Sequence, residues 1–236
     1  MFNNLKVYDL GDYVKITAVK LKTSSNINAK IRKSEINNQL KLTNNLVRAK
    51  NTINDIALAN DFKYFFTLTF NPSYDRYELY NLLRLFRNHL RVLRDNSNKS
   101  IKYLIVPEQH KDGAWHFHGF FSDDIEDFIY FNEYGYRTIR NLNNLGYINI
   151  DIIKDKLRVS SYVTKYVSKN LGSGIKKFRN SYFCSTGLLR STLLLDKLYD
   201  NEIFNSKFFH YSNDFCFRRV ITKKEYYKLK FILDKL

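Results

Sequence analysis

Three groups of residues in this chain have types and spacings that could do chemistry. The first is Trp115-His116-Phe117-His118-Gly119-Phe120-Phe121, two imidazoles at i and i+2 inside a segment apolar enough for a buried strand. Side chains two apart on a strand project from one face, so both rings can address one ion. Burying two polar rings among aromatics calls for some such compensation. The second group is Pro107-Glu108-Gln109, which closes the preceding apolar run. A three-residue hairpin loop over residues 111–113, with Gly113 at positive φ, sets Glu108 across from His116. A two-residue Asp-Gly turn sets Glu108 across from Phe117 instead, on the other face. In the first register one carboxylate joins two imidazoles and leaves coordination positions open, as a catalytic ion needs. His89 and His110 read as surface residues, and His210 has no identifiable partner.

The third group is Tyr162-Val163-Thr164-Lys165-Tyr166-Val167-Ser168-Lys169. Tyr162 and Tyr166 are four apart, as are Lys165 and Lys169, so two adjoining helical stripes carry phenols and amines. A phenol titrates near pH ~10. As a nucleophile it needs positive charge or a polarised phosphate to help phenolate form in the transition state. An ammonium one turn away supplies that charge or holds the scissile phosphate. Each group also has a plainer explanation: a structural histidine pair, a solvated edge carboxylate, an amphipathic helix packing its rings on a core. Their conjunction in one basic chain points to phosphodiester chemistry on a nucleic acid.

The elements that must position these groups can be read from periodicity. Residues 62–70 (FKYFFTLTF) are aromatic and β-branched, a strand ended by Asn71-Pro72-Ser73. Residues 77–94 place Leu79, Leu82, Leu83, Phe86, Leu90 and Leu93 on one helical face, with Arg84, Arg87, Arg91 and Arg94 on another. Residues 101–109 and 114–121 form a hairpin, residues 123–131 a short acidic helix, and residues 147–153 a strand. Residues 157–171 are the tyrosine helix, ended by Gly172. This order predicts an α+β fold: an antiparallel sheet of split βαβ topology with helices on one face.

Outside that block, residues 5–21 read as a hairpin around Gly11-Asp12 and residues 34–59 as a helix striped by Ile36, Leu40, Leu46, Ile53 and Ile56. The tail reads as a helix near 188–198, a strand pair around 208–221 and a final helix from Lys223. The expected organisation is an N-terminal accessory region (1–60), a core (61–180), and a C-terminal accessory segment (181–236) able to pack on the core.

Composition narrows the partner. At 236 residues, with 44% hydrophobic and 16% aromatic residues, the chain can build a core and is not disordered. A net charge of +16 and a pI near 9.7 favour a polyanion, with nucleic acid ahead of a membrane surface. Cys184 and Cys216 lie far apart without a CxxC partner, which excludes a zinc knuckle or a disulfide framework and fits a reduced, cytoplasmic setting. The first residues carry no signal-peptide h-region, and no stretch is long and apolar enough to span a bilayer. No GxxxxGK[ST] motif is present, which argues against a nucleotide-driven motor in this chain.

Together these residues resemble the HUH endonucleases, specifically the rolling-circle replication initiators of small phages and plasmids. Phe66-Thr67-Leu68-Thr69-Phe70 is similar to the family's first motif, His116-Phe117-His118 to its metal-binding second motif, and residues 162–169 to its third. The doubled YxxK resembles the two-tyrosine initiators of microvirus-type phages. The resemblance runs from about Phe62 to Leu171, under half of the chain. It implies a site-specific single-strand nickase and ligase using Mg²⁺ or Mn²⁺ held by His116, His118 and Glu108. One tyrosine would attack in line, leaving a free 3′-OH and a 5′-phosphotyrosine, with Lys165 and Lys169 assisting. The second tyrosine or the returning 3′-OH would close the circle. If one phenol acts alone, Tyr166 is the choice, because its Tyr-Val-Ser-Lys-Asn context is closer to the single-tyrosine initiators.

The implied partners are single-stranded origin DNA and, since no helicase domain is present, a host helicase and polymerase in a bacterial cytoplasm. For DNA contact the sequence offers Phe66, Thr67, Thr69 and Phe70 as a stacking face. Lys176, Lys177, Arg179 and the basic residues of the 77–94 helix can neutralise phosphates. Two other readings share the pattern: a single-strand transposase or relaxase of the same fold, and a non-catalytic nucleic-acid-binding module.

Overall fold

The computed structural model describes residues 2–20, 33–169, 180–200, 211–212 and 216–234. Its elements, in chain order, begin with β1 (Phe2–Leu10), β2 (Tyr13–Lys20), α1 (Lys33–Ala59) and β3 (Phe62–Phe70). Then come α2 (Leu79–Ser97), β4 (Tyr103–Gln109), β5 (Trp115–Ser122), β6 (Ile129–Phe131), β7 (Arg137–Ile139), β8 (Gly146–Ile152) and α3 (Lys156–Lys169). The last are β9 (Phe183–Cys184), β10 (Thr192–Asp200), β11 (Tyr211–Ser212), β12 (Cys216–Thr222) and α4 (Lys223–Asp234). Short 3₁₀ turns span Asp123–Phe128 and Leu142–Leu145. No helix among the described residues is long and apolar enough to cross a membrane.

The chain divides into two compact units. One comprises Thr43–Ala57 and Asp61–Leu188 and is built on the antiparallel sheet β8-β3-β5-β4-β9. Its first long strand, β3, lies between β5 and β8, the last two of the four long strands, which is the split βαβ arrangement. The α+β class therefore holds, but the helices cover both faces of the sheet and not one. The even-numbered residues of β3, Tyr64 to Phe70, join Phe117 and Phe121 of β5 beneath Leu82, Phe86 and Leu90 of α2. On the opposite face Leu104 and Val106 of β4 and Phe120 of β5 meet Val163, Tyr166 and Val167 of α3, together with Ile53 and Ile56 of α1. The physical reason is in the strands themselves: β4 and β5 are apolar at successive positions, the pattern of strands buried on both sides. A second helical layer was implied by that run.

Two local departures shape this sheet. Phe62 and Tyr64 sit on either side of a register shift against β5, so Phe62 stacks on Phe120 while Tyr64 turns into the α2 core. At Gly119 a Cβ would stand 2.1 Å from the Leu104 carbonyl oxygen and 2.9 Å from the Phe66 ring, so only glycine fits beside the second histidine. The predicted acidic helix over 123–131 is instead the 3₁₀ turn followed by β6, which pairs with β7 as a small hairpin. Its residues alternate too little for one apolar helical face, and Ile125 is the residue it buries.

The other unit comprises Met1–Leu42, Leu58–Asn60 and Leu189–Leu236 and holds the sheet β10-β1-β2-β12-β11. Both ends of the chain thus contribute strands to one sheet: β1 pairs with β2 and β10, and β2 with β12. Leu5, Val7, Val14, Ile16 and Ala18 fill one face with Ile221 and Tyr226. The expected helix near 188–198 is the strand β10, because a leucine run that fits either period is decided by the edge of β1 beside it. The hairpin around Gly11, the helix ending at Ala59, the pairing of β11 with β12 and the helix starting at Lys223 agree with the sequence. Gly172 lies outside the described residues.

Candidate functional site

The hairpin β4–β5 sets the register of the site. His110 N–H donates to the Ala114 carbonyl at 2.9 Å, and Gly113 N–H to that of His110 at 2.9 Å. Residues 111–113 therefore form the three-residue loop, with Gly113 at φ 88°. Glu108 consequently faces His116 across the ladder, Val106 faces His118, and β3 adds Thr69 beside His116 and Thr67 beside His118. Directly opposed residues share a face, so two imidazoles, one carboxylate and two hydroxyls lie on the α3 side.

Their contacts are specific. His118 Nε2 lies 2.6 Å from Glu108 Oε2, and both side chains are buried. A carboxylate only accepts, so Nε2 carries the proton and Nδ1 accepts from the Thr67 hydroxyl at 3.1 Å. His116 Nδ1 lies 3.0 Å from the Thr69 hydroxyl. A threonine hydroxyl donates or accepts without moving its oxygen, so either ring can change tautomer and keep its partner. Burial and the neighbouring His110 hold the His116 imidazole below its ordinary pKa, which keeps it neutral near pH ~7, the form that ligates metals.

Sequence alone puts His110 at the surface, but the structure brings it to the site. Its ring stacks on that of His116 with centroids 3.6 Å apart, and its Nε2 is 3.8 Å from Glu108 Oε2. The signal was available: Glu108 and His110 are two apart on the β4 line, the same spacing that unites His116 and His118.

Helix α3 delivers the phenols. The Tyr166 ring lies flat on His118, centroids 3.6 Å apart and planes within 4°. Its hydroxyl donates to Tyr162 Oη at 2.7 Å. Tyr166 is only 7% exposed, and burial, with the bond to Tyr162 next, pushes its phenol above the ordinary range. Tyr162 is 44% exposed, edge-on to Phe65, with Lys165 Nζ 5.3 Å from its ring centre. Lys169 closes α3, and its side chain lies outside the described residues, as do Lys176, Lys177 and Arg179.

The donor chemistry suits a divalent ion: two imidazoles, a buried carboxylate, and hydroxyls fixing both Nδ1 atoms as outer partners of metal-binding histidines commonly do. The side chains as they stand are not gathered around one point. Among the described residues no three His, Cys, Asp or Glu groups converge, because His118 and Glu108 share a proton and His116 stacks on His110. An ion at His118 Nε2 would replace that proton, moving it to Nδ1 against Thr67.

The stacking face expected on the first strand needs correction. Phe66 and Phe70 point into the α2 core, where Phe70 is 1% exposed and packs edge-on against Phe117. Adjacent strand residues alternate faces, so Thr67 and Thr69 cannot share a surface with them. Both threonine hydroxyls bond imidazoles.

Residues 63–171 match a family model described as a replication-associated protein of the ORF2 type. The matched segment starts in β3, ends just beyond α3 and contains every residue of the site above; it coincides with the stretch on which the sequence resemblance rests. It supports a role in DNA replication. No curated protein and no solved structure matches the chain.

Proposed function

We propose that this chain is a rolling-circle replication initiator that nicks single-stranded DNA by tyrosine attack and later rejoins it. The observation that carries this reading is the flat contact of Tyr166 with His118, itself bonded to Glu108. Phenols, imidazoles and carboxylate meet although they come from segments well separated along the chain. The match of residues 63–171 to replication-associated proteins supports the same reading.

His116, His118 and Glu108 would hold the ion. When bound, a divalent ion supplies a positive charge that polarises a non-bridging phosphate oxygen. Of the two phenols, Tyr162 is the better placed for first attack, because its oxygen is accessible and already accepts a hydrogen bond from Tyr166. This reverses the preference for Tyr166 that its local sequence suggests. Tyr162 Oη forms a bond to phosphorus as the phosphorus–O3′ bond breaks. The phenol proton leaves to solvent, and the departing 3′ oxygen takes one up. Lys165, one turn from Tyr166 and beside the Tyr162 ring, offers charge to the developing phenolate. Tyr166, buried and on the same stripe, is the acceptor for the return transfer.

A covalent-adduct assay tests this. Protein mixed with Mn²⁺ and single-stranded fragments of its own replicon should give a shifted band on a denaturing gel. The band should be lost in the Tyr162→Phe/Tyr166→Phe double variant and most reduced by Tyr162→Phe among the singles. DNA binding without any adduct across the replicon would replace the nickase with a non-catalytic binding module.

A further inference from the structure

The face that carries the histidines does not stop at β3. On β8, Tyr147 stands opposite Thr69, which stands opposite His116, which stands opposite Glu108. One row of side chains thus crosses the sheet from the carboxylate to a tyrosine that is 53% exposed. At a strand spacing of about 4.8 Å, Tyr147 lies roughly 10 Å from the His116 position. The row does not end there. The ring of Tyr136, from the β6–β7 hairpin, meets Tyr147 edge-on with centroids 6.5 Å apart and is itself 53% exposed. Tyr134 at the hairpin tip is 74% exposed, and Phe131 is 65% exposed with the Arg137 guanidinium 5.3 Å from its ring centre.

Exposed aromatic rings in one continuous patch need a reason. The core of this unit is filled by other residues, and an exposed tyrosine contributes little to stability. The hairpin is nonetheless tightly built: Asn132 Oδ1 accepts from Tyr134 N–H at 3.1 Å and Tyr136 N–H at 2.9 Å, and Arg140 N–H donates to the Phe128 carbonyl at 2.8 Å. The rings are therefore presented on an ordered support. Flat rings interleaved with an arginine, in a chain of net charge +16, fit unpaired bases on a polyanionic backbone. A duplex hides its base faces and fits poorly.

We infer that Tyr147 and the β6–β7 hairpin, through Tyr136 and neighbouring Phe131 and Arg137, form a base-stacking platform. It holds the single strand beside the phosphate addressed from His116 and Glu108. The assignment rests on the nickase reading for the direction in which the strand runs from the site, but not for the platform's existence. It also relocates the aromatic contact that the first strand was expected to make to the opposite edge of the same face.

Equilibrium binding of a labelled oligothymidylate in EDTA, where no cleavage occurs, tests the platform separately from catalysis. Tyr147→Ala and Tyr136→Ala should each weaken single-strand binding on the order of tenfold. Tyr147→Phe and Tyr136→Phe should restore it, and binding of a duplex of equal length should be unchanged. Alanine variants that bind the single strand like the wild-type protein overturn the platform, as does an equal loss for the duplex. A wild-type protein that forms adducts while the alanine variants bind normally removes the platform alone. Weakened variants of a protein that forms no adduct leave the platform standing and remove the nickase.

Discussion

The two five-stranded sheets of this protein use one rule to opposite ends. In β10-β1-β2-β12-β11, apolar residues face one way and residues such as Lys6, Tyr8 and Thr17 the other, where they stay at least partly wet. Lys6 pairs with Asp196 at 3.1 Å, with both side chains a third or more exposed. In β8-β3-β5-β4-β9 the polar face is covered by α3 instead, and Glu108 and His118 are buried in it. A polar group left in water costs nothing, whereas a buried one must be bonded or it destabilises the fold. The second sheet therefore carries a linked set of bonds, Thr67 to His118 to Glu108, where the first has loose surface pairs. Chemistry needs groups held apart from water at fixed positions, and only the covered face provides that.

The largest test of this contrast is removal of the buried pair. Glu108→Ala leaves the His118 N–H without its acceptor, so stability should fall by about 1–3 kcal/mol, and Mn²⁺-dependent adduct formation should vanish. Urea melts and the adduct gel measure both. His118→Ala should abolish the adduct likewise, and chelation of the ion by EDTA should mimic the loss of activity in the wild-type protein.

A smaller effect is expected at the outer partners. Thr67→Val keeps the shape but removes the hydroxyl from His118 Nδ1. Divalent-ion affinity, followed by titration calorimetry, should drop about 10–100-fold, with Thr67→Ser recovering most of it. The matched change on the other sheet, Thr17→Val, should alter neither ion binding nor adduct yield. If both threonines behave alike, the difference between the sheets is not one of function.

The phenols come next. Tyr166→Phe removes the hydrogen bond given to Tyr162 but keeps the ring on His118. It should slow adduct formation while leaving the yield intact, whereas Tyr162→Phe should cut the yield. Equal yields from both single variants would show that burial of Tyr166 is no barrier to attack. The smallest change belongs to the solvated sheet: Lys6→Ala should leave the melting temperature within error, because an exposed ion pair contributes little.

Much of this was legible in the sequence because it depends on short-range geometry. The period of two placed His116 and His118 on one face, the loop length with Gly113 put Glu108 opposite His116, and helical spacing set Tyr162 and Tyr166 in one stripe. Phe62-Lys63-Tyr64-Phe65-Phe66-Thr67-Leu68-Thr69-Phe70 could be recognised as a strand, but which rings faced the core could not, since both of its faces are partly aromatic. Phe70 and Thr69 were assigned to one surface although neighbours on a strand cannot share it.

Local spacing determined the chemistry this chain can offer: its imidazoles, its carboxylate, its phenols and the charge that favours a polyanion. Tertiary structure decided which of them meet. It laid Tyr166 on His118, brought His110 against His116, turned the threonines to the histidines and carried the row across to Tyr147. It also drew both ends of the chain into one sheet and made the 188–198 leucine run a strand. Contacts within a hairpin or a helical turn follow from bond geometry and period alone. Which face of a sheet a distant helix covers depends on the total apolar surface to be buried, and that sum is taken only over the folded chain.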